Sequence, residues 1–245
     1  MTEKLLIDDI AERCKIFDEN YAEVTERIAI AAKKSGRRAE DIHLLAATKT
    51  IPVEVINHAI KSGVTLIGEN RVQELLSKLD YYDKSATRHL IGHLQTNKVR
   101  QIVGKVSMIE SVDSVKLATE ISRRSEELGI VTDILVEINI GGEESKSGIK
   151  PDEAEKIITE ISSLSGVKVE GLMTIPPICE KIEENLRYFD QMRNLFVDIS
   201  AKKIDNVNMS YLSMGMSDDY EAAILCGANI VRVGTRLFGR RNYPV

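Results

Sequence analysis

The sequence predicts an α/β protein built as a (β/α)8 TIM barrel, preceded by one extra helix. Eight short apolar runs recur along the chain, and each is followed by a segment that can form a helix. Strands that alternate with helices are typical of parallel sheets, and eight such units within about 200 residues fit one closed barrel. The runs cover residues 42–48, 64–68, 87–91, 106–110, 132–138, 167–173, 207–212 and 229–233.

The extra helix is predicted within residues 1–36. Apolar residues recur there at intervals of three and four, which is the spacing of one helical face, and Ser35 and Gly36 end the pattern. We expect this face to pack on the barrel, because it would otherwise be exposed to water, and a targeting peptide would be richer in arginine and poorer in acids. The face comprises Ile10, Cys14, Phe17, Tyr21, Val24, Ile28 and Ala31.

The segments between the apolar runs carry ordinary helix boundaries. Pro52 and Pro151 stand at predicted helix starts, and Gly63 and Gly129 follow predicted helix ends. A doubly wound open sheet is the competing architecture, but its phosphate site normally follows the first strand as a glycine-rich turn, and residues 48–50 contain no glycine. We find no repeat or linker that divides the chain, so residues 1–245 are interpreted as one domain.

Composition excludes several classes of protein. The chain has 33 basic and 38 acidic residues and a net charge of -5, which argues against a general nucleic-acid binder. No stretch approaches the roughly 20 apolar residues that cross a bilayer, and no secretory signal follows Met1. Cys14, Cys179 and Cys226 lie far apart without metal-ligand spacing, so we expect reduced thiols, no metal and a cytoplasmic protein.

The residues that follow the predicted strands should meet at one mouth of the barrel, where barrel ligands bind. Lys49 continues the first run, and Arg232, Gly234 and Thr235 belong to the last. Residues 213–219 lead into a helix start, which together with the last loop predicts a phosphate site. The alternative is that Ser217 merely caps that helix.

Lys49 is interpreted as a functional amine. A lysine that continues a buried strand loses hydration, and desolvation lowers an amine's pKa and favours its reaction with aldehydes. The strand exits carry small or polar residues and few acids, so glycoside hydrolysis and binding of a hard metal are not expected.

Seven motifs occur in a fixed order along the chain. They are Leu45–Thr50, Ile67–Glu74, His89–Lys98, Glu144–Gly148, Gly171–Met173, Leu212–Asp219 and Val231–Thr235. Together they resemble the pyridoxal phosphate homeostasis protein family, and the resemblance covers residues 10–240.

The resemblance implies a fold-type III barrel, similar to the N-terminal domain of alanine racemase, that binds pyridoxal 5′-phosphate (PLP), a form of vitamin B6. It identifies Lys49 as the lysine that forms the internal aldimine (Schiff base) and Arg232 as the residue facing the pyridine nitrogen. The other positions that it assigns to PLP are Asn70 and Met214 beside the cofactor and Ser213, Gly234 and Thr235 around the phosphate.

Arginine opposite the pyridine nitrogen implies weak catalysis, because a guanidinium can only donate hydrogen bonds and does not keep that nitrogen protonated. The leading hypothesis is therefore a PLP-binding protein that buffers or delivers the cofactor without significant turnover. The alternative is an amino-acid racemase, for which Tyr211 or Tyr220 could be nominated as acid or base although both are interpreted as packing residues. A weaker third hypothesis is a sugar-phosphate enzyme that uses Lys49 as an imine former.

The implied partners follow from this hypothesis. They are PLP and, as acceptors, enzymes that lack their PLP. No nucleic acid or membrane is expected, and no sequence feature indicates an oligomer, so a monomer is expected. A counterpart of the racemase's second domain is not expected.

Overall fold

Eight parallel strands form a closed barrel in the computed structural model, which describes residues 3–143, 146–177 and 182–239. Each strand pairs with the next along the chain, and the last pairs with the first. The strands are β1 (His43–Ala47), β2 (Leu66–Glu69), β3 (Thr87–Leu90), β4 (Met108–Val112), β5 (Thr132–Glu137), β6 (Val167–Met173), β7 (Val207–Ser213) and β8 (Ile230–Val233).

Helices between the strands cover the outside of the barrel. None of the helices in the described ranges is long and apolar enough to cross a membrane. They are α1 (Glu3–Lys34), α2 (Val53–Lys61), α3 (Val72–Lys78), α4 (Val99–Ile102), α5 (Val115–Glu127), α6 (Ala154–Ser162), α7 (Ile182–Lys202), α8 (Tyr220–Leu225) and α9 (Thr235–Phe238).

The barrel closes between β8 and β1. His43 lies opposite Ile230 and Ala46 lies opposite Val233 in parallel register. This pairing confirms the (β/α)8 prediction and shows that the open-sheet alternative is wrong. Some strands begin later than the apolar runs: Val64 is buried, but its N–H donates to the carbonyl of Ala59, so it packs in the turn after α2 before strand pairing starts.

The extra N-terminal helix is confirmed and packs on the barrel. Its apolar face is buried, and the ring of Phe17 stacks on that of Phe238 in α9 with centroids 5.4 Å apart. The helix ends at Lys34, and Gly36 follows with a positive φ of 74°, a conformation that glycine adopts without strain.

Polar contacts attach α1 to α9 on one side and to α2 on the other. The amide Nδ2 of Asn20 donates to the carbonyl of Leu237 in α9 at 3.1 Å. On the other side, Asp18 Oδ1 lies 2.7 Å from Nε2 of His58 in α2. Helix α1 therefore lies across the junction where the last βα unit closes onto the first.

The apolar core has two parts. The larger part lies between the strands and the helices. The smaller part fills the inside of the barrel and consists of Leu45, Leu66, Ile91, Met108, Leu135, Met173 and Ile230, with Ala47, Ile175 and Tyr211 packed against it. Polar and charged side chains occupy the rest of the barrel interior.

Strand β6 is irregular, which explains one of the motifs. Its register shifts against both β5 and β7 near Gly171. Gly171 has φ +151°, and a Cβ built on it would lie 1.8 Å from the carbonyl oxygen of Tyr211. Only glycine fits there, so this motif residue serves the close approach of β6 and β7.

Candidate functional site at the carboxyl mouth

Lys49 lies at the mouth between the exits of β2 and β8. It follows β1 by two residues and is half-buried. Ala47 pairs with Gly68 on one side. On the other side, a Cβ built on Gly234 would lie 3.3 Å from the carbonyl oxygen of Ala47. The register therefore places Lys49 beside Asn70, which follows β2, and beside Gly234, which follows β8, as the strand-exit argument predicted.

Asn70 carries a buried acceptor that lacks a donor. No hydrogen-bond partner within the described residues reaches its side-chain Oδ1. The backbone of Asn70 is tightly enclosed, since a Cβ on Gly92 would lie 2.2 Å from the Asn70 carbonyl oxygen. Buried acceptors are normally satisfied, so this atom fits a donor brought by a bound molecule.

Ser217 joins the loop after β7 to the loop after β8. Its Oγ accepts hydrogen bonds from the N–H groups of Gly234, at 3.2 Å, and Arg236, at 3.4 Å. The expectation that Ser217 could cap α8 is wrong, because Asp219 holds the N-cap position of that helix. The exposed Thr235 lies between Gly234 and Arg236, so the loops after β7 and β8 bring two hydroxyls and several backbone N–H groups into one region.

Arg232 is buried within the barrel, and both Nη nitrogens of its guanidinium group donate hydrogen bonds. Nη1 donates to the hydroxyl of Ser213 at 2.6 Å, and Nη2 donates to the carbonyl of Thr174 at 2.8 Å. Ser213 in turn donates to Oε2 of Glu110 at 2.6 Å, and Nδ1 of His89 lies 2.7 Å from Oε1 of the same carboxylate. A buried chain of four side chains thus crosses the barrel from β8 to β3.

This chain changes the interpretation of Ser213. The side chain is fully buried, and its hydroxyl is engaged between Glu110 and Arg232. In this arrangement its hydroxyl serves the arginine, whereas the hydroxyl that meets the Gly234 amide belongs to Ser217. The predicted phosphate segment, residues 213–219, contains both serines, but sequence reasoning named Ser213 as the ligand and did not distinguish the surroundings of the two hydroxyls.

The buried charges of these hydrogen-bonded side chains stabilise one another. Complete burial lowers the pKa of Arg232, although the carboxylates of Glu110, Glu137 and Asp219 oppose that shift. Burial alone would raise the pKa of Glu110, but the contact with His89, together with Arg232 and Ser213, lowers it below its usual value. Arg232 and Glu110 are therefore opposite charges inside the barrel, linked through the hydroxyl of Ser213.

Glu137 is a second acid in the interior, on β5, and is 8% exposed. Its burial and the neighbouring carboxylate of Asp113 raise its pKa to about 7, against the opposing effect of Arg232 and His93. Glu110 lies within β4 and Glu137 ends β5, and both are buried. Counting only the residues that follow the predicted runs therefore missed both acids.

Met214 and the two nominated tyrosines lie in packed surroundings. Met214 is fully buried in the core between strands and helices, so contact with a ligand in the mouth would involve its backbone. Tyr220 is buried in α8. The ring of Tyr211 packs edge-on against His43, with centroids 5.7 Å apart, at the start of β1 and far from Lys49 at its end.

Potential metal ligands do not converge in the part of the chain that is described: no group of three or more His, Cys, Asp or Glu side chains could hold a metal. His89 faces Glu110, whereas His93 faces Asp113 at 3.2 Å. Cys14 and Cys226 are free thiols, and Cys179 lies outside the described ranges.

Comparison with known proteins defines the class and then the family. Residues 21–242 match the family "Alanine racemase, N-terminal domain". The pyridoxal phosphate homeostasis protein of Aquifex aeolicus is 45% identical over 226 residues, covering 92% of this chain and 98% of the relative. The relative with the same name in Escherichia coli K12 is 37% identical over 229 residues, covering 91% and 96%. The chain thus belongs to the pyridoxal phosphate homeostasis protein family, as the seven motifs indicated.

Solved structures agree with this result. An unknown protein from Bifidobacterium adolescentis has a TM-score of 0.89 at 40% identity, covering 93% of this chain and 96% of its own. PipY of Synechococcus elongatus PCC7942, solved with PLP bound, has a TM-score of 0.75 at 33% identity, covering 88% and 100%. An alanine racemase of Clostridium difficile 630, at 20% identity and a TM-score of 0.70, covers 94% of this chain and 58% of its own and shares the fold.

Proposed function

We propose that the protein binds PLP at the carboxyl mouth of the barrel, and that it serves PLP homeostasis by holding and releasing the cofactor without significant turnover. The observation that carries the proposal is the convergence of Lys49, Asn70 and Gly234 at one mouth. The relative PipY, solved with PLP bound, supports the identity of the cofactor.

Each residue has a distinct task in this proposal. PLP supplies an aldehyde that condenses with an amine, with loss of water, and a ring that withdraws electrons. Nζ of Lys49 would hold the cofactor by supplying the amine that condenses with this aldehyde. The unpartnered Oδ1 of Asn70 accepts a hydrogen bond from the bound molecule.

The phosphate is held by the loops after β7 and β8. We assign the contacts to the hydroxyl of Ser217, the amide of Gly234 and the amide and hydroxyl of Thr235, since oriented N–H groups and hydroxyls bind a dianion well. Ser217 and Gly234 are already within hydrogen-bonding distance of each other. Ser213 contributes by holding Arg232, and Met214 contributes through its backbone beside the cofactor.

Arg232 favours weak activation of the cofactor, and the surroundings of the two nominated tyrosines argue against racemisation in particular. Its guanidinium donates hydrogen bonds and has no acceptor, so it cannot supply a protonated ring nitrogen, and its charge is offset by Glu110. Racemisation also needs an acid and a base on opposite faces of the bound amino acid. Tyr211 and Tyr220 both lie in packed positions, which supports release of PLP to acceptor enzymes as the outcome of binding.

The first experiment locates the covalent bond. Borohydride reduction of the PLP-loaded protein followed by peptide mapping should place the label on Lys49. Lys49→Ala should abolish the label, while residual PLP binding persists through the phosphate contacts. Lys98→Ala is the control and should leave the label in place; a label that maps to Lys98 or Lys146 instead would contradict the proposal.

The second experiment tests turnover. The purified protein is incubated with PLP and alanine in deuterated water, and exchange at the α-carbon is followed by NMR. We expect exchange well below about 1 per second, because a guanidinium that faces the ring nitrogen donates a hydrogen bond without protonating it. Exchange at about 1 per second or faster would favour the racemase alternative.

A further inference from the structure

A network of polar side chains lies behind Lys49, on the outside of the barrel. Glu69, at the end of β2, is 1% exposed and turns away from the mouth towards α3. Its Oε1 accepts three hydrogen bonds: from the hydroxyl of Thr48 at 2.8 Å, from Nζ of Lys78 at 2.8 Å and from the hydroxyl of Tyr82 at 2.9 Å. Thr48 is the residue that directly precedes Lys49.

Lys78 extends the network to the other side of Lys49. Its Nζ donates to the carbonyl of Thr48 at 3.1 Å and to Oε1 of Glu74 at 2.7 Å. Glu74 in turn accepts a hydrogen bond from the backbone N–H of Thr50. Thr50 has a positive φ of 65°, a conformation that residues other than glycine adopt only when their surroundings hold them there.

The network is costly, which indicates that it does more than attach α3. Two carboxylates and one ammonium are removed from water, and one oxygen of Glu69 finds no partner within the described residues. Burial and the carboxylate of Glu69 raise the pKa of Tyr82, so its hydroxyl stays a donor. Apolar side chains of similar volume would often hold a helix at least as well, whereas a buried ion pair fixes one geometry.

We propose that Lys78, together with Glu69 and Glu74, positions Lys49 by holding the backbone of Thr48 and Thr50 on either side of it. Held at both neighbours, the chain presents Lys49 to the aldehyde from one direction rather than from many. This inference rests on the proposed function. It adds three positioning residues, none of which touches the cofactor.

Lys78→Met tests the inference, because it keeps the length of the side chain and removes all its donors. In the cofactor-free protein, amide hydrogen exchange over residues 45–52 should become at least about tenfold faster, which reports local opening. When PLP is added to the variant, the rate at which borohydride-trappable label forms at Lys49 should fall by about tenfold. Lys78→Arg retains donors and should recover part of the capture rate, which a loss of packing alone would not explain.

Lys168→Met is the matched control. Lys168 also pairs with a buried glutamate, Glu170, at 2.6 Å, but it lies at the start of β6, away from Lys49. It should leave both rates unchanged. If Lys78→Met fails to fold, Glu74→Gln decides, because it weakens the contact with Thr50 and leaves Glu69 and Lys78 paired.

The outcomes separate the two proposals. The positioning role alone would be overturned by one result. In it, the wild-type protein is labelled at Lys49, and a folded Lys78→Met or Glu74→Gln variant shows wild-type exchange and capture rates. A wild-type protein that takes no label at Lys49 would overturn the proposed function and this inference with it. Faster exchange with slower capture, absent from Lys168→Met, is the result we expect.

Discussion

The layer between strands and helices differs sharply from the inside of the barrel. The outer layer buries large apolar side chains such as Phe17, Ile56 and Phe189, and its polar contacts are local, as in the network around Glu69. The inside combines a small apolar layer with Arg232, Glu110 and Glu137. Burial of apolar area stabilises a protein, whereas burial of charge costs free energy unless the charges are paired. We infer that the outer layer provides stability and that the interior gives up stability for a binding site.

Substitution of Phe17 in the outer layer should have the largest effect. Phe17→Ala removes the stack on Phe238 and should lower the free energy of unfolding by about 3–5 kcal/mol, measured by urea denaturation. Labelling of Lys49 by PLP and borohydride should be unchanged in the folded fraction. Leu128, which is exposed, provides the control: Leu128→Ala should change stability by no more than about 0.5 kcal/mol. Equal stability of the two variants would contradict the packed N-terminal helix.

Substitution of Glu137 in the interior should change the free energy of unfolding by less than Phe17→Ala does, and should raise it. Its pKa rises from 4.5 to about 7 on folding, so the stability present below pH 4.5 is lost as the pH rises through 7. Glutamine cannot ionise, so Glu137→Gln should be more stable than wild type at pH 8 by about 2–3 kcal/mol, relative to their difference at pH 4. Thermal unfolding of the cofactor-free protein measures this difference.

Glu120 is the control, because its pKa is shifted in the opposite direction to that of Glu137. Its hydrogen bond with Arg123 holds the pKa of Glu120 below its ordinary value, so its stabilising contribution is present at neutral pH and is lost as the pH falls through that lowered pKa. Glu120→Gln should therefore lose stability at pH 8. If the stability of both glutamine variants relative to wild type changes in the same direction with pH, burial of the carboxylate does not explain the difference between Glu137 and Glu120.

The sequence predicted the fold well because the relevant patterns are local. The spacing of Phe17, Val24 and Ile28 marks one helical face, and each strand appears as a short apolar run. The site was predicted only in part. The strand-exit rule brought Lys49 together with Gly234 because parallel strands end at the same mouth.

Contacts between distant residues could not be predicted in this way. Glu110 lies in a run that was interpreted simply as a strand, and its partner Ser213 is 103 residues away. Glu69 stands at the exit of β2, but its side chain turns outward to α3 instead of into the mouth. Which face an exit residue uses depends on strand register, and a single sequence does not contain that information.

The position of α1 across the closing junction has a consequence for synthesis of the chain. Phe17 leaves the ribosome 221 residues before its partner Phe238. At about 5–20 residues per second, the apolar face of α1 waits on the order of 10–40 s for the part of its partner surface that α9 provides. The nascent protein must therefore keep α1 out of aggregates until α9 has been made.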